Sequence, residues 1–499
     1  MGENTSAIVS KVWSMCTVLY NDGVSYSDYL EQITYLIFMK MVDEYSRPPY
    51  NYEIRLPDGH SWDDLKSLTG SNLETQYKST LEVLGQVPGI LMEIFAGAQN
   101  KINDAANLHK IVQMVDEVDW TSMSVDVKGT IYEGLLEKNA DDVKSGAGQY
   151  FTPRPLIQAM VECVCPEPMK TICDPACGSG GFFLASQKYI VENNELDRDE
   201  KRFLKNETFH GWEIVRSTYR MCLMNMFLHG IGDVNGSIPI TRNDALLTLP
   251  SEKFDYVLTN PPFGKKSTRT FTNEEGDVER EEFVYSRQDF WATTSNKQMN
   301  FVQHINSLLK ETGKAAVVVP DNVLFEGGAG EIIRRKLIET MDFHTILRLP
   351  TGLFYKQGVK ANVIFFDRMP AGPGIKTKEI WIYDLRTNKH FTLKKNPLKH
   401  DDLVDFIKCY NPSNRYERKE TYSVECPEGR FRRYTVDEIL NYPNARLDKT
   451  WIKDESSFSL DDISNPLELI ETYKQELVEY TNKINEIIAK IESSLGEKE

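Results

Sequence analysis

The sequence predicts an α/β protein in which a largely parallel sheet, covered by helices on both faces, lies between a helical N-terminal domain and a helical tail. Three patterns support this class. Residues 1–140 place apolar side chains at helical spacing, residues 141–395 alternate short apolar strands with helices, and residues 461–499 repeat apolar side chains at steps of three and four. Alternating strands and helices imply parallel strands joined by crossover helices.

Length and composition limit the number of domains and the class of protein. A chain of 499 residues is too long for one core, and 40% hydrophobic with 26% charged residues is the balance of a folded protein. No apolar run is long enough to span a bilayer, and the start of the chain lacks the pattern of a secretory signal. Eight dispersed cysteines favour reduced thiols, so we expect a cytoplasmic protein.

The net charge of −16 constrains the partners. So acidic a chain is not expected to wrap nucleic acid by itself, because phosphate binding needs clustered lysine and arginine. A local basic face or a second subunit would have to supply such contacts.

The helical domain is predicted to open with a helix over residues 8–19, and a second helix starts near Asp28 and ends at Pro48. Two regions of the chain do not show the alternation of strands and helices. Residues 264–298 form a polar, charged insertion that we expect to be a mobile loop. Residues 396–460 are charged and predicted to be irregular.

In the central domain the predicted strands follow the apolar runs, at residues 170–174, 209–213, 254–259, 314–320, 344–349 and 363–366. The helices between them are predicted at residues 180–192, 217–228, 300–310 and 331–339. The carboxyl ends of parallel strands meet at one edge of a sheet, and ligands bind there.

The first strand runs into the segment Asp174-Pro175-Ala176-Cys177-Gly178-Ser179-Gly180-Gly181-Phe182, which opens a helix. Small residues at such a turn let the backbone approach a ligand closely. Because no Lys-Ser or Lys-Thr follows the glycines, a phosphate loop of the nucleotidase kind is not expected.

Two acidic residues follow. Glu213 ends the second strand, where a carboxylate can accept both hydroxyls of a ribose, although a solvated strand-end residue would look the same. Asp244 precedes the third strand, where it can accept a hydrogen bond from an adenine amino group, and it can also cap a helix that starts at Ala245.

The third strand ends in Asn260-Pro261-Pro262-Phe263. An aromatic amine is a poor nucleophile because its lone pair is delocalised into the ring. The Asn260 side-chain oxygen and the Pro261 carbonyl can each accept one amino hydrogen, which aims the lone pair at an electrophile. The two prolines fix the turn. Phe263 offers a flat face to an extruded base, and such stacking contributes about 1–3 kcal/mol.

A third motif, Gly148-Gln149-Tyr150-Phe151-Thr152-Pro153, comes just before the first strand, where it can close over the amino-acid end of a cofactor. Nearby cysteines occur as Cys163-x-Cys165 and Cys173-x3-Cys177. This spacing is wrong for a usual zinc knuckle, so we expect no metal.

In this order the three motifs resemble those of amino-methylating DNA methyltransferases, over about residues 10–370. Tyr132-Glu133-Gly134-Leu135-Leu136 and Phe38-Met39-Lys40 are similar to the helical domain of type I restriction-modification methylase subunits. The resemblance implies a Rossmann-like, seven-stranded methyltransferase fold with residues 363–366 as a strand inserted antiparallel. It also implies site-specific transfer of a methyl group from S-adenosylmethionine to the exocyclic amino group of a flipped-out adenine.

The resemblance assigns roles to the residues of the motifs. Those expected to bind the cofactor are Gln149, Tyr150, Phe151, Thr152, Asp174, Ala176, Gly178, Ser179, Gly180, Glu213, Asp244 and Asn260. Those expected to act on the target base are Asn260, Pro261, Pro262 and Phe263.

Members of this family work as two methylase chains with one specificity subunit, and a nuclease-translocase subunit can join them. We therefore expect double-stranded DNA, a second methylase subunit and a specificity subunit as partners. The N-terminal domain and the coiled-coil-like helix predicted over residues 461–499 are the expected docking elements. If the specificity subunit recognises the DNA sequence, it can also supply the phosphate contacts that so acidic a chain is not expected to make by itself.

Three alternatives stay open at this point. Protein glutamine-amide methyltransferases also use Asn-Pro-Pro, usually followed by Tyr, whereas Phe263 follows here. Cytosine amino methyltransferases more often carry Ser at the position of Asn260. A non-catalytic scaffold would need a broken cofactor or catalytic motif, and neither motif is broken.

Overall fold

The N-terminal region is helical in the computed structural model, which describes residues 2–121, 152–232, 238–264, 268–272, 278–354, 359–392, 395–454 and 481. Its helices are α1 (Gly2–Asn21), α2 (Tyr26–Ser46), α3 (Trp62–Lys66), α4 (Gly70–Leu84), α5 (Ile90–Phe95) and α6 (Ala105–Asp116). The first two confirm the predicted pair. Before α2, the hydroxyl of Ser25 accepts the N–H of Asp28, which caps the helix.

Strands and helices alternate through the rest of the described chain. The strands are β1 (Ile172–Asp174), β2 (Phe209–Trp212), β3 (Ile240–Thr241), β4 (Phe254–Thr259), β5 (Thr268–Thr272), β6 (Val278–Glu282), β7 (Leu309–Pro320), β8 (Met341–Arg348), β9 (Ala361–Arg368), β10 (Glu379–Asp384) and β11 (Phe431–Thr435). The helices are α7 (Arg154–Val164), α8 (Gly181–Asn193), α9 (Arg198–Asn206), α10 (Arg216–Leu228), α11 (Lys297–Leu308), α12 (Asn322–Phe325), α13 (Ala329–Thr340), α14 (Val404–Tyr410) and α15 (Val436–Leu440).

Within the described residues, nine strands form one sheet in the order β11-β10-β8-β9-β7-β4-β1-β2-β3. The strands β3, β2, β1, β4 and β7 are parallel neighbours, and β9 runs antiparallel between β7 and β8. The predicted α/β methyltransferase sheet with its antiparallel insertion is therefore confirmed. Beyond these seven strands, β10 and β11 extend the sheet beside β8.

The strand β11 lies in the region that the sequence predicted to be irregular. Two arginines separate its buried residues, Phe431 and Tyr434, so its apolar side chains do not alternate with polar ones. A five-residue edge strand that carries Arg432 and Arg433 has no apolar run to reveal it. Sequence patterning therefore missed it.

The insertion at residues 264–298 also differs from expectation. Its strands β5 and β6 pair antiparallel with each other in a separate two-stranded sheet. After this hairpin, Tyr285 is buried against Leu246 and Phe301. The insertion therefore contains a paired hairpin where the sequence predicted only a loop. Each strand of the hairpin has only one apolar residue in its sequence, so no apolar run marks it.

Both faces of the sheet are buried by side chains that alternate along the strands. On β4, Tyr256 and Leu258 face a core that continues into the N-terminal helices, and Val257 faces the core beneath α11 and α13. The N-terminal helices and one face of the sheet therefore share a continuous apolar core.

The chain divides into two units, residues 1–452 and residues 453–499. The coiled-coil-like helix predicted over residues 461–499 lies outside the described residues, apart from Thr481. A search of the described helices for one apolar and long enough to span a membrane finds none.

A buried ion pair joins β10 to β8. Nη1 of Arg348 lies 2.9 Å from Oδ2 of Asp384, and both residues are buried. Asp384 also accepts hydrogen bonds from the N–H groups of Arg386 and Thr387. The charge inside the sheet is thus compensated from several sides.

Arg348→Met should destabilise the fold by about 3–5 kcal/mol, because it leaves the buried Asp384 carboxylate without its cation. The matched control is Lys336→Met, which removes the exposed partner of Glu339 on α13 and should cost less than about 1 kcal/mol. Urea unfolding measures both. Equal, small losses would show that the pair does not hold β10 in place.

Candidate active site

The turn after β1 is shaped by glycines. β1 ends at Asp174 and α8 begins at Gly181, so residues 175–180 form the turn. Gly178 and Gly180 have φ angles of 55° and 83°, which other residues adopt only with strain. A Cβ added at Gly178 would meet no described atom within 4 Å. The backbone of the turn therefore borders open space that a ligand can enter.

Asp174 is the most deeply buried of the candidate carboxylates. It is 1% exposed, and its Oδ1 accepts the N–H of Ala176 at 3.0 Å. Burial, assisted by the nearby charge of Glu213, raises the pKa of Asp174 to about 7. This carboxyl shapes the start of the turn through a hydrogen bond to the backbone.

Glu213 follows β2 and lies beside the glycine turn. Its N–H donates to the carbonyl of Thr241, and its Oε1 accepts the N–H of Val215 at 2.7 Å. Burial raises the pKa of Glu213, and the neighbouring N–H groups of Val215 and Gly178 oppose this shift. The next residue, Ile214, is 64% exposed. A carboxylate and an exposed apolar side chain thus stand together next to the turn.

Asp244 lies in a turn between β3 and β4, where no helix begins, so the predicted helix cap is wrong. Its Oδ1 accepts the N–H of Leu246 at 3.0 Å, and its Oδ2 accepts the hydroxyl of Tyr285 at 2.7 Å. Tyr285 belongs to a small apolar cluster that Ala176 contacts. This cluster connects Asp244 to the glycine turn.

Asn260 follows β4 with its side-chain amide held in one orientation. Its Nδ2 donates to Oγ1 of Thr152 at 2.8 Å. Its Oδ1 is buried and has no hydrogen-bonding partner among the residues that the structure describes. Buried polar atoms are nearly always paired, because an unpaired one costs about 1–3 kcal/mol. This oxygen is therefore an acceptor for a group that the described chain does not supply.

The two prolines and Phe263 form the corner after Asn260. Pro261 is buried, and the carbonyl of Pro262 accepts a hydrogen bond from Nε2 of Gln298. The ring of Phe263 is half-buried and meets Phe354 edge-on, with ring centroids 5.3 Å apart. The corner is thus braced from behind while part of an aromatic ring stays accessible.

The sheet brings the predicted residues to one edge. β1 pairs in parallel with both β2 and β4, so Asp174, Glu213 and Asn260 lie at neighbouring carboxyl ends. Thr152 joins them through its bond with Asn260. Residues 149–151 lie outside the described residues, so their roles stay predictions.

Three buried polar residues support this edge without having been predicted. Gln298 holds the proline corner. Tyr285 holds the carboxylate of Asp244. Asn225 donates from Nδ2 to the carbonyl of Ser179 at 2.8 Å. Each partner lies 36 to 46 positions away in the chain, so no local motif marks these residues. Only Asn225 has a sequence signal, an amide within the otherwise apolar segment 221–228, whereas Gln298 and Tyr285 lie in polar segments.

Comparisons with known proteins identify the family. The family model described as N-6 DNA Methylase matches residues 123–439, and the HsdM N-terminal domain model matches residues 8–115. The type I restriction enzyme EcoKI methylase subunit of Escherichia coli K12 is 36% identical, over 98% of this chain and 96% of that protein. This chain belongs to the N-6 DNA methylases, as a type I restriction enzyme methylase subunit. The methylase is thus an adenine-specific DNA methyltransferase, as the resemblance implied.

Solved structures agree with this placement. The crystal structure of the EcoKI M protein is 31% identical, covers 97% of the methylase and 96% of its own chain, and has a TM-score of 0.54. A chain from a study of assembly and conformational transition in the type I R-M system is 25% identical, covers 98% of both chains, and has a TM-score of 0.72. These relatives favour neither the glutamine-amide nor the cytosine alternative.

Asp174→Asn should change how the stability of the methylase depends on pH. The pKa of Asp174 rises from 3.8 to about 7 in the fold, so the folded protein keeps a proton that the unfolded chain loses. This contribution is present below the unfolded pKa and is lost as pH rises to about 7. The substituted side chain can still accept the N–H of Ala176.

Urea unfolding of both proteins at about pH 5 and about pH 8 tests this expectation. The variant should gain stability relative to the wild type at the higher pH. The same difference at both values would contradict the raised pKa of Asp174.

Thr152→Val should slow methyl transfer about tenfold, the effect of losing about 1.4 kcal/mol. The hydroxyl of Thr152 fixes which end of the Asn260 amide faces the site. Thr152→Ser keeps a hydroxyl and should retain most of the rate. Single-turnover methylation of plasmid DNA compares the two substitutions, and equal rates would remove Thr152 from this role.

Proposed function

We propose that this methylase transfers the methyl group of S-adenosylmethionine to N6 of an adenine flipped out of double-stranded DNA. The observation that carries the proposal is the Asn260 amide. Thr152 fixes its orientation, and its buried Oδ1 is available to an amino hydrogen. The amide lies at the same sheet edge as the glycine turn, where the methyl donor would bind.

The cofactor would occupy the space beside the glycine turn, and the residues present suit it. Open space borders Gly178. The Glu213 carboxylate can accept the ribose hydroxyls. The Asp244 carboxylate, held by Tyr285, can accept the adenine amino group. The exposed side chain of Ile214 can cover the adenine ring. The other residues proposed for this site are Gln149, Tyr150, Phe151, Thr152, Asp174, Ala176, Ser179, Gly180 and Asn260.

Bound S-adenosylmethionine supplies an electrophilic methyl group on a sulfonium. Oδ1 of Asn260 and the carbonyl of Pro261 accept the two amino hydrogens of the target adenine. This moves the nitrogen toward tetrahedral geometry and aims its lone pair at the methyl carbon. An amide oxygen is not a base near neutral pH, so Asn260 orients the amine and does not remove its proton. As the nitrogen bonds the methyl carbon, the carbon–sulfur bond would break and its electron pair would stay on sulfur as a neutral thioether. The nitrogen, now positively charged, would then lose a proton to water.

Phe263 would hold the flipped base. Enzymes that react with a base atom inside the duplex extrude the nucleotide and stack the base on aromatic side chains. The half-buried ring of Phe263, braced edge-on by Phe354, provides such a face. Stacking of this kind contributes about 1–3 kcal/mol per base, which offsets part of the unstacking cost.

The net charge of −16 favours shared DNA binding. We infer that a specificity subunit reads the recognition sequence and that a second methylase subunit completes the complex, which a nuclease-translocase subunit can join. The N-terminal helices and the helix predicted over residues 461–499 are the proposed docking elements. One relative was solved in a study of assembly in the type I R-M system, which supports a multisubunit arrangement.

Asn260→Ala should slow methylation at least about 100-fold, because it removes an acceptor that the reacting amine needs. The full chain, coexpressed with a specificity subunit, would be assayed for transfer of radiolabelled methyl groups to plasmid DNA. Binding of S-adenosylmethionine should weaken by no more than about tenfold, about 1.4 kcal/mol, because Asn260 is one of many residues proposed for that site and the others remain.

The matched control is Asn193→Ala, at the exposed end of α8, where Nδ2 bonds only a local carbonyl. It should leave the rate unchanged. Full methylation by the Asn260 variant would remove this residue from catalysis and with it the proposed arrangement of the base.

A further inference from the structure

The helix α10 touches both the glycine turn and the N-terminal helices. A helix turns about 100° per residue. Arg220 and Phe227 therefore lie on one side of α10, Cys222 and Asn225 lie on the opposite side, and Tyr219 lies between the two. Each side makes its own set of contacts.

The first side binds the N-terminal helices through Arg220. Its Nη1 lies 2.6 Å from Oε1 of Glu31 and 2.8 Å from the hydroxyl of Tyr35, and its Nη2 bonds the carbonyl of Ala96. Arg220 is only 6% exposed. A buried cation with an anion and two further acceptors fixes a relative position strongly, because breaking the set would leave charge unpaired. The contact thus ties α10 to α2 and to the end of α5.

Aromatic packing continues this contact along the same side of α10. The ring of Phe227 lies 4.9 Å from that of Phe38 and 5.9 Å from that of Tyr45, both on α2. The hydroxyl of Tyr219 donates to Oε2 of Glu93 on α5 at 2.9 Å. The position of α10 therefore follows that of the N-terminal helices along its whole length.

The opposite side of α10 holds the glycine turn. Nδ2 of Asn225 donates to the carbonyl of Ser179 at 2.8 Å. Sγ of Cys222 lies 3.8 Å from Sγ of Cys177, and a Cβ added at Gly180 would come within 3.1 Å of it. Helix and turn are in direct contact, so a shift of α10 moves the turn.

Stability alone does not explain an amide at position 225. Asn225 is fully buried, and its Oδ1 has no hydrogen-bonding partner in the described part of the chain. An unpaired buried oxygen is destabilising, and a leucine of similar shape would avoid it. The Asn225 amide therefore lowers stability through its Oδ1, and the hydrogen bond from its Nδ2 to the glycine turn is the contact that a leucine could not make.

We propose that Asn225 is a positioning residue for the methyl donor, and that Arg220 makes this positioning depend on the N-terminal helices. The proposal rests on the proposed function of the glycine turn as the S-adenosylmethionine site. Packing of α2 and α5 against α10 sets where the Ser179 carbonyl and its neighbouring backbone groups lie. The affinity for S-adenosylmethionine then depends on how the helices of the N-terminal domain pack against α10.

The first test is Asn225→Leu in the full chain, with S-adenosylmethionine binding measured by calorimetry. The dissociation constant should rise about tenfold, which corresponds to about 1.4 kcal/mol. The midpoint of thermal unfolding should stay the same or rise, because the unpaired oxygen is removed. In the assembled enzyme, KM for S-adenosylmethionine should rise while kcat is unchanged. The control Gln187→Leu removes a comparable amide bond, to the carbonyl of His229, and should leave the affinity unchanged.

The second test compares two tyrosine hydroxyls in the helical domain. Tyr35→Phe removes the hydroxyl that Arg220 contacts, and should raise the dissociation constant about threefold. Tyr77→Phe removes an equally buried hydroxyl that bonds Gln32 inside the domain, and should have no effect. In a background that already carries Asn225→Leu, Tyr35→Phe should no longer change the dissociation constant, because α10 has lost its hydrogen bond to the glycine turn.

The outcomes separate the two proposals. A wild-type chain that does not bind S-adenosylmethionine overturns the proposed function. Wild-type binding with unchanged affinity after both Asn225→Leu and Tyr35→Phe overturns only the present inference. Loss after Asn225→Leu alone overturns the dependence on the helical domain. A parallel fall in affinity, kcat and unfolding midpoint after Asn225→Leu assigns that residue a structural role and also overturns the inference.

Discussion

Parallel pairing of β1 with both of its neighbours is the constraint on which the site depends. Ile172 pairs with Phe209 of β2 on one side and with Tyr256 of β4 on the other, so the three strands end together. β1 and most of β4 are buried on both faces and β2 on one face, so a slip of one residue would exchange their two sets of side chains. Apolar packing thus fixes the register, and the register places the glycine turn, Glu213 and Asn260 at one edge.

This edge is rigid because its polar groups are held by residues from distant parts of the chain. The Asn260 amide is oriented by Thr152, 108 residues earlier, and the proline corner is held by Gln298. Such bonds form only once the sheet, α7 and α11 are packed together. The Oδ1 atoms of Asn260 and Asn225 accept no hydrogen bond from any described residue, which shows where polar side chains occur in spite of a cost in stability. A site of this kind is preorganised by the whole fold.

Sequence patterns predicted what is encoded locally. The central strands are recognisable in the sequence as apolar runs. The glycine turn and the Asn260 corner are contiguous motifs, and their position directly after a strand is enough to interpret them. Patterns failed where tertiary contacts decide the structure. Strand β11 has only two buried residues, and the hairpin of β5 and β6 pairs with itself. The support given by Tyr285, Gln298 and Asn225 joins residues far apart in sequence, so no single-chain periodicity could reveal it.

The net charge of the chain bears on how the N-terminal helices and the sheet edge work together. The net charge of −16 disfavours binding of a phosphate backbone by the methylase alone, and in the proposed complex a partner supplies the cations that bring the duplex to the sheet edge. In the proposed complex that partner docks on the helical region, which shares a continuous core with the face of the sheet beneath α10. The surface proposed to meet the partner is therefore joined by close packing to the turn proposed to hold the methyl donor. Close-packed interiors transmit displacement because they have few voids to absorb it. In this fold, DNA delivery and readiness of the methyl donor would be coupled through apolar packing and the buried Arg220 contact, without any ligand common to both.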